Sequence, residues 1–355
     1  MYLDGHERPD VVASRRIFCS KMVELLQNPN NVFIAQDESI FHAKDGITFT
    51  WHENDVSLKK KGLGKGIMKS CWMDHTGIVK LTDDEWKEAK RQHPELPQSA
   101  SFTLKFGHEW GYYDYQKFEK DLTVALKIAK LKYPGRHIVM LFDHSSVHHK
   151  MAADALNVKV MNKKPGGKQP ILRNTIYENK VQTFAFGQDH PDPNLRGVAK
   201  GIHVILQERG FQMKGKKLPE LCELLAVCDD FKNEKTMIEK KCEEEGITCL
   251  FFPKFHCEFN WCELVWANSK RFCRQRCSDN LPTLEKNIPL SFAAIPPQHY
   301  LLIYQHALEE IKTAHQQQNP KEAHKRYRSH RPPVGAHPHL HLLLNYTETQ
   351  PNNSE

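Results

Sequence analysis

The sequence contains no apolar run approaching the roughly 18 to 20 residues that a membrane-spanning helix needs. It has no charged-then-apolar leader at Met1-Tyr2-Leu3-Asp4-Gly5-His6-Glu7-Arg8 and no internal repeat. These absences argue against a helical membrane protein and a solenoid, and set the expectation of a soluble, intracellular chain. No Cys-x-x-Cys pair occurs, so the ten cysteines read as reduced thiols rather than as a disulfide framework. His256-Cys257, Cys262, Cys273 and Cys277 are near one another in sequence, but without a regular pair a structural zinc site is the weaker reading. Gly62-Leu63-Gly64-Lys65-Gly66 lacks the spacing to Lys-Ser/Thr of a phosphate-binding loop, and nucleotide binding is discounted.

What is present is enough for a substantial core. With 355 residues and 39% hydrophobic content, the chain suits one large domain with an insertion, or two domains. Fifty basic residues against 43 acidic give a formal charge of +7. That excess is modest, so a polyanionic partner is allowed but not demanded.

Residues 9–27 have the spacing of an amphipathic helix, with Val12, Arg16, Cys19, Val23 and Leu26 on one face. The apolar run Val32 to Asp37 reads as a strand, Thr48-Phe49-Thr50-Trp51 as a second, and Ser70–Met73 with Ile78–Leu81 as a hairpin turned at Asp74–Gly77. Thr82 and Glu85 form a capping box for a short helix through Gln92. A longer helix spans Tyr115–Tyr133 and stops at Pro134-Gly135, and a strand then runs Ile138 to Asp143. Glycine- and proline-rich stretches interrupt 150–219, and one helix is expected over 220–245. A third apolar strand, Ile247–Phe252, precedes a helix from Asn260 to Arg276. The expected layout is a linker and helix over 1–30, the first part of a core over 31–150 and an insertion over 151–246. The last core strand and helix follow over 247–280, then a helical segment over 281–333 and a disordered tail over 334–355.

Two of these strands end on an aspartate, Asp37 and Asp143, and Glu263 shares the apolar side of the last core helix. A charge at the end of a buried strand is placed at the sheet's edge. Two such strands side by side would crowd two carboxylates, which is unfavourable unless a cation or a proton is shared. Each acid has a plainer reading. Aspartates often end strands at turns, and with Asn260 as N-cap, Glu263 stands at N3, where it can reach back to the helix N-terminus.

The order and context of the three acids resemble the DDE superfamily endonucleases, the mariner-like eukaryotic transposases. Gln36-Asp37-Glu38-Ser39 is similar to that family's first-acid motif, Phe142-Asp143-His144-Ser145-Ser146 to its second, and the run from Phe255 to Trp266 to its third. Flanking blocks resemble the large eukaryotic branch: Tyr2 to Asp10, Met161 to Lys168, His190 to Pro193 with Arg196-Gly197, and Arg326 to Arg331. The resemblance covers about residues 1–333. It implies an α/β fold, a ribonuclease-H-like mixed sheet with flanking helices and a large insertion before the last core helix. It further implies Asp37, Asp143 and Glu263 as catalytic ligands of two Mg²⁺ or Mn²⁺ ions and DNA as partner, and allows a homodimer; Lys325-Arg326-Tyr327-Arg328 reads as a nuclear-import patch, which sets the nucleus as the expected location. Two positions depart from the family's pattern. His144 stands in place of Asn, and Trp261-Cys262 in place of Pro-Ile. Proline at the first helical position is preorganised, so Trp261 is expected to leave the start of the Glu263 helix less firmly held. No helix-turn-helix precedes the Tyr2 block, so the expectation is a chain without its N-terminal DNA-binding domain. The alternative is an inactive relic that binds DNA nonspecifically.

The basic segments are Lys59-Lys60-Lys61, the stretch 159–173 containing Lys163, Lys164 and Lys168, and Lys270, Arg271 and Arg274 beyond Glu263. On one face with the acids they would hold phosphates, positioning DNA without reading its sequence. The plainer reading is solvated surface.

Overall fold

The computed structural model describes residues 5–46, 62–106 and 111–316. The strand expected at Thr48–Trp51, the Lys59–Lys61 run and everything after Gln316 lie outside the described residues. The chain packs as two compact units, one formed by the parts before His148 and after Glu244, the other by 148–244.

The first unit begins with α1 (Pro9–Leu26), whose proline sits at the helix start, where its missing N–H has no helical partner anyway. Its buried residues are Val11, Arg15, Phe18, Cys19 and Met22, a face rotated by one residue from the expected Val12, Arg16 and Val23. Spacing alone cannot choose between the adjacent Arg15 and Arg16. Arg15 goes inside because it finds partners there, Glu7 at 3.4 Å and His256 at 3.3 Å.

The sheet follows with β1 (Asn31–His42), β2 (Gly66–Asp74) and β3 (Gly77–Ile78). Helix α2 (Asp83–Gln92) carries the expected capping box. The Thr82 hydroxyl accepts from the Glu85 N–H at 3.3 Å, and the Glu85 carboxylate accepts from the Thr82 N–H at 2.8 Å. Then come β4 (Ser101–Phe106), α3 (Tyr115–Lys132) and β5 (His137–Phe142). β2 runs antiparallel to β1, and β3 and β4 pair antiparallel with successive stretches of β2. On the other side of β1 the pairing is parallel, to β5. Val32–Ala35 and Ile138–Phe142 are apolar throughout because these central strands are buried on both faces.

In the second unit the elements are β6 (Thr175–Tyr177), β7 (Lys180–Gln182), α4 (Ile202–Glu208), α5 (Leu218–Ala226), α6 (Asp229–Lys232) and α7 (Met237–Glu244). The single helix expected over 220–245 is thus three. One break comes from capping chemistry: the Thr236 hydroxyl accepts from the Glu239 N–H at 3.3 Å and Glu239 accepts from the Thr236 N–H at 2.7 Å, which starts a new helix. The unit has its own core, with Phe184, Ile205, Leu206, Leu221, Leu225 and Phe231.

The first unit resumes with β8 (Thr248–Phe251), parallel to β5, then α8 (Trp261–Gln275), α9 (Leu281–Ala293) and α10 (Pro297–Gln316). Four strands paired antiparallel, β1 to β4, continued through β1 by the parallel β5 and β8, with helices against the sheet, make this a ribonuclease-H-like fold. Phe33, Ala35, Val139 and Leu141 pack with Phe18 and Met22 of α1, Val265 and Trp266 of α8, and Ile303 and Ile311 of α10.

Arg209 and Asp230 form a bidentate pair in the second unit at 3.0 and 2.6 Å, with side chains only 1% and 6% exposed. Removing one partner strands a buried charge. Asp230→Ala is therefore expected to destabilise this unit by about 3–5 kcal/mol, read as a lowered urea midpoint for protection of 148–244 from proteolysis. A loss below ~1 kcal/mol would mean the pair is solvated.

Candidate active site

Asp37 lies inside β1, two residues beyond Ala35, which pairs with Leu141 of β5. The parallel register offsets β1 and β5 by the same 106 residues that separate Asp37 from Asp143, and the charge of Asp143 acts on Asp37. Side chains alternate along a strand. Gln36 joins Glu38 and Ser70 at 2.8 and 3.1 Å, whereas Asp37 faces α8.

There the Asp37 carboxylate is held by three donors. Its Oδ2 accepts from the Asn260 amide at 2.9 Å and the Trp266 indole at 3.2 Å, and its Oδ1 from the Glu38 N–H at 2.8 Å. Asn260 does two jobs, because its Oδ1 also accepts from the Cys262 N–H at 3.1 Å and caps α8. Its backbone N–H donates to the Cys257 carbonyl at 3.0 Å. That bond removes the plainer reading of Glu263, since the N–H it would reach back to is already used. Glu263 instead lines a cleft of about 430 Å³ with Asp143, His144, Lys254, His256 and Asn260. Asp143 Oδ1 accepts from the Ser145 N–H at 3.0 Å, fixing the turn after β5.

Electrostatics tie the three acids together. Burial, followed by the charges of Glu263, Glu38 and Asp143, holds the Asp37 carboxyl well above the usual carboxylate range. Glu263 is also raised, first by desolvation, then by Asp143, with Lys270 opposing. Its side chain opens to the cleft, where solvent screens its charge. The donor set is all oxygen and carries more negative charge than it can hold unaided, which fits Mg²⁺ or Mn²⁺. The three carboxylates do not close to within 4.8 Å of one another. Among the described residues the metal-capable group that does so is His6, His256 and Glu258. Cys257, Cys262, Cys273 and Cys277 belong to no such group among those residues, and Cys262 and Cys273 are buried in the core.

Trp261 corrects an expectation. Its indole is 1% exposed, donates to the Met73 carbonyl at 3.0 Å and sets its edge against Tyr304 at 5.0 Å. The start of α8 is pinned by this side chain rather than loosened by the missing proline. His144 stacks on Phe251 at 5.6 Å.

Of the basic residues, Lys270 lies over the Phe41 ring at 5.9 Å, seven positions from Glu263 on the same face of α8. Arg274 pairs with Asp45 at 3.0 Å, and Arg271 is half-buried. Lys163, Lys164 and Lys168 are exposed in the second unit. Sequence reasoning missed Lys254 in the cleft, and the grip of Asn260 and Trp266 on Asp37. An N-cap asparagine has a spare amide donor, but spacing does not reveal a partner 223 residues away.

The chain is therefore a ribonuclease-H-like protein with an acidic cleft. No protein-family model and no curated protein matches it. Chains of the mariner transposase Mos1 are among the solved structures similar to it. A pre-cleavage Mos1 transpososome aligns over 89% of this chain and 65% of that one, with 9% identity and a TM-score of 0.48. The Mos1 paired end complex with Mn gives 89%, 64%, 8% and 0.48. The Mos1 catalytic domain alone aligns over 89% of this chain and 97% of its own length, with 8% identity and a TM-score of 0.45. The chain thus spans about 65% of the length of the transposase chain in that transpososome. At these identities the likeness is one of fold.

Trp261→Pro is expected to destabilise the first unit by about 3–5 kcal/mol, through the cavity left by the indole and the loss of its hydrogen bond to the Met73 carbonyl. A neutral or stabilising result in urea unfolding would show that the indole is not the anchor. The raised carboxyls give a second expectation. A group whose folded pKa lies above its unfolded value contributes stability at low pH that is lost as pH rises through the folded pKa. Without divalent ions the melting temperature should fall as pH rises above the ordinary carboxylate range. Glu263→Gln should flatten that decline, and Mg²⁺ or Mn²⁺ should offset it in the parent. A flat profile in the parent contradicts the crowding of charge described here.

Proposed function

We propose that the chain is a divalent-metal-dependent DNA endonuclease and strand-transferase of the mariner-like transposase kind. What supports this reading is the buried Asp37, whose carboxyl is raised by the charges of Glu263 and Asp143, on a strand paired in parallel with the one that Asp143 follows. Asp37, Asp143 and Glu263 would hold two Mg²⁺ or Mn²⁺ ions. When bound, such a pair activates a water or 3′-hydroxyl and stabilises the departing oxygen of a phosphodiester.

The chain's own residues do the rest. Asn260 and Trp266 orient Asp37 so that its carboxylate does not turn, and preorganised ligands need no rearrangement as the ion enters. Asp37 and Glu263 must give up protons that burial and mutual repulsion favour, so ion affinity rises with pH. Lys254 in the cleft offers a cation to a phosphate near the acids. Lys163, Lys164 and Lys168, with Lys59, Lys60, Lys61, Lys270, Arg271 and Arg274, are assigned to the DNA backbone, which fixes position and not sequence. The Lys325–Arg328 patch extends the reading to a nuclear protein, and the reading leaves room for a homodimer.

Purified protein is expected to nick supercoiled plasmid with Mg²⁺ or Mn²⁺ and not with EDTA. Asp143→Ala should lower the rate by ~100-fold or more. Nicking that survives this change would sink the assignment, and DNA binding without nicking by the parent would mark the inactive relic. Nonspecific affinity should fall with salt at a log-log slope near −0.9 per phosphate contact. Replacing Lys163, Lys164 and Lys168 by Ala should make that slope shallower, and an unchanged slope removes them from the contact set.

A further inference from the structure

Two blocks far apart in sequence, Gly5-His6-Glu7-Arg8 and Phe255-His256-Cys257-Glu258, meet in the first unit. At their centre His256, 2% exposed, faces Arg15 with one ring nitrogen and Glu258 with the other, at 3.3 Å from Nε2 and 2.7 Å from Nδ1. Arg15 also pairs with Glu7 at 3.4 Å. The His256 ring stacks on Phe259 at 5.0 Å, and His6 meets it edge-on at 4.9 Å. Phe255 holds a left-handed backbone with φ of 65°, a conformation that surrounding structure must over-determine. Gly5 supplies part of that, since a Cβ there would lie 2.8 Å from the Phe255 ring. Arg8 lies over the same ring at 5.7 Å.

His6, His256 and Glu258 have the donor types of a metal site, but the hydrogen bonding argues otherwise. Arginine only donates, so Nε2 must be the lone-pair nitrogen, and the proton sits on Nδ1, donated to Glu258. A metal on Nδ1 would force a proton onto Nε2, against the guanidinium. A metal on Nε2 would share its ligand atom with a cation. The neutral ring is fully satisfied without an ion.

What the ring does hold is the loop into α8. The 3₁₀ turn Cys257–Phe259 follows His256 directly, and its end is Asn260, which caps α8 and grips Asp37. We infer that Arg15, His256 and Glu258 form a buried positioning relay through which the Gly5–Arg15 segment sets Asn260 and Glu263, and with them the divalent-ion site. The role in catalysis rests on the function proposed above; the mechanical coupling does not.

The test compares the full-length parent with Arg15→Met and His256→Phe, which delete the relay, and His256→Gln, whose amide keeps one donor and one acceptor. Should either deletion fail to fold, Glu258→Ala removes only the loop-side partner, at a side chain 22% exposed. Amide exchange across 257–266 should quicken at least ~tenfold in the deletions while α3 keeps its protection, and Mn²⁺ affinity by electron paramagnetic resonance should weaken at least ~tenfold. His256→Gln should restore most of both. Unchanged exchange at 257–266, or equal loss in α3, overturns the relay. If the parent binds no Mn²⁺, the metal-site reading fails, and the exchange data alone decide the relay.

Discussion

A carboxylate cannot be buried cheaply, and much of the first unit's site is arranged around one that is. Asp37 sits inside a strand at 7% exposure, held by two side-chain donors from α8 and one N–H of its own strand. Those bonds favour the charged form, yet burial and three neighbouring acids push harder the other way. The conflict is local: among the described residues Lys270 is a cation whose charge couples to Asp37, and the carboxyl stays raised all the same. Buried charge of one sign, held in fixed orientation, is how a protein prepares a place for a small hard cation.

The same bonds explain why α8 begins where it does. Asn260 satisfies one of the helix's orphan N–H groups with its oxygen and Asp37 with its nitrogen, so capping and site assembly are one event. Trp261 adds an apolar anchor with its indole bonded to Met73. Glu263, one turn on, is thereby aimed at the cleft without any hydrogen bond of its own being required.

How much of this was legible in sequence depends on the range of the interaction. Strands such as Val32–Asp37 and Ile138–Phe142, and the Thr82–Glu85 capping box, are written locally in apolar runs and cap residues. The mixed sheet also follows the expected ribonuclease-H-like class. The sheet register that sets Asp143 beside Asp37 is nonlocal, and so is the choice of Arg15 over Arg16 as the buried residue, which a histidine 241 positions away decides. At Trp261 the propensity of a helix start is overridden by tertiary contacts of the indole that no local pattern displays. The single helix expected over 220–245 breaks at Thr236, an ordinary cap residue whose hydroxyl starts a new helix.

The central claim is that Asp37, Asp143 and Glu263 share divalent ions. Its most direct test is anomalous diffraction from crystals of the full chain grown with Mn²⁺. The account requires Mn²⁺ density in contact with all three carboxylates and lost in Asp37→Ala. No ordered Mn²⁺ at saturating concentration, or an ion held by His6, His256 and Glu258 instead, would contradict it.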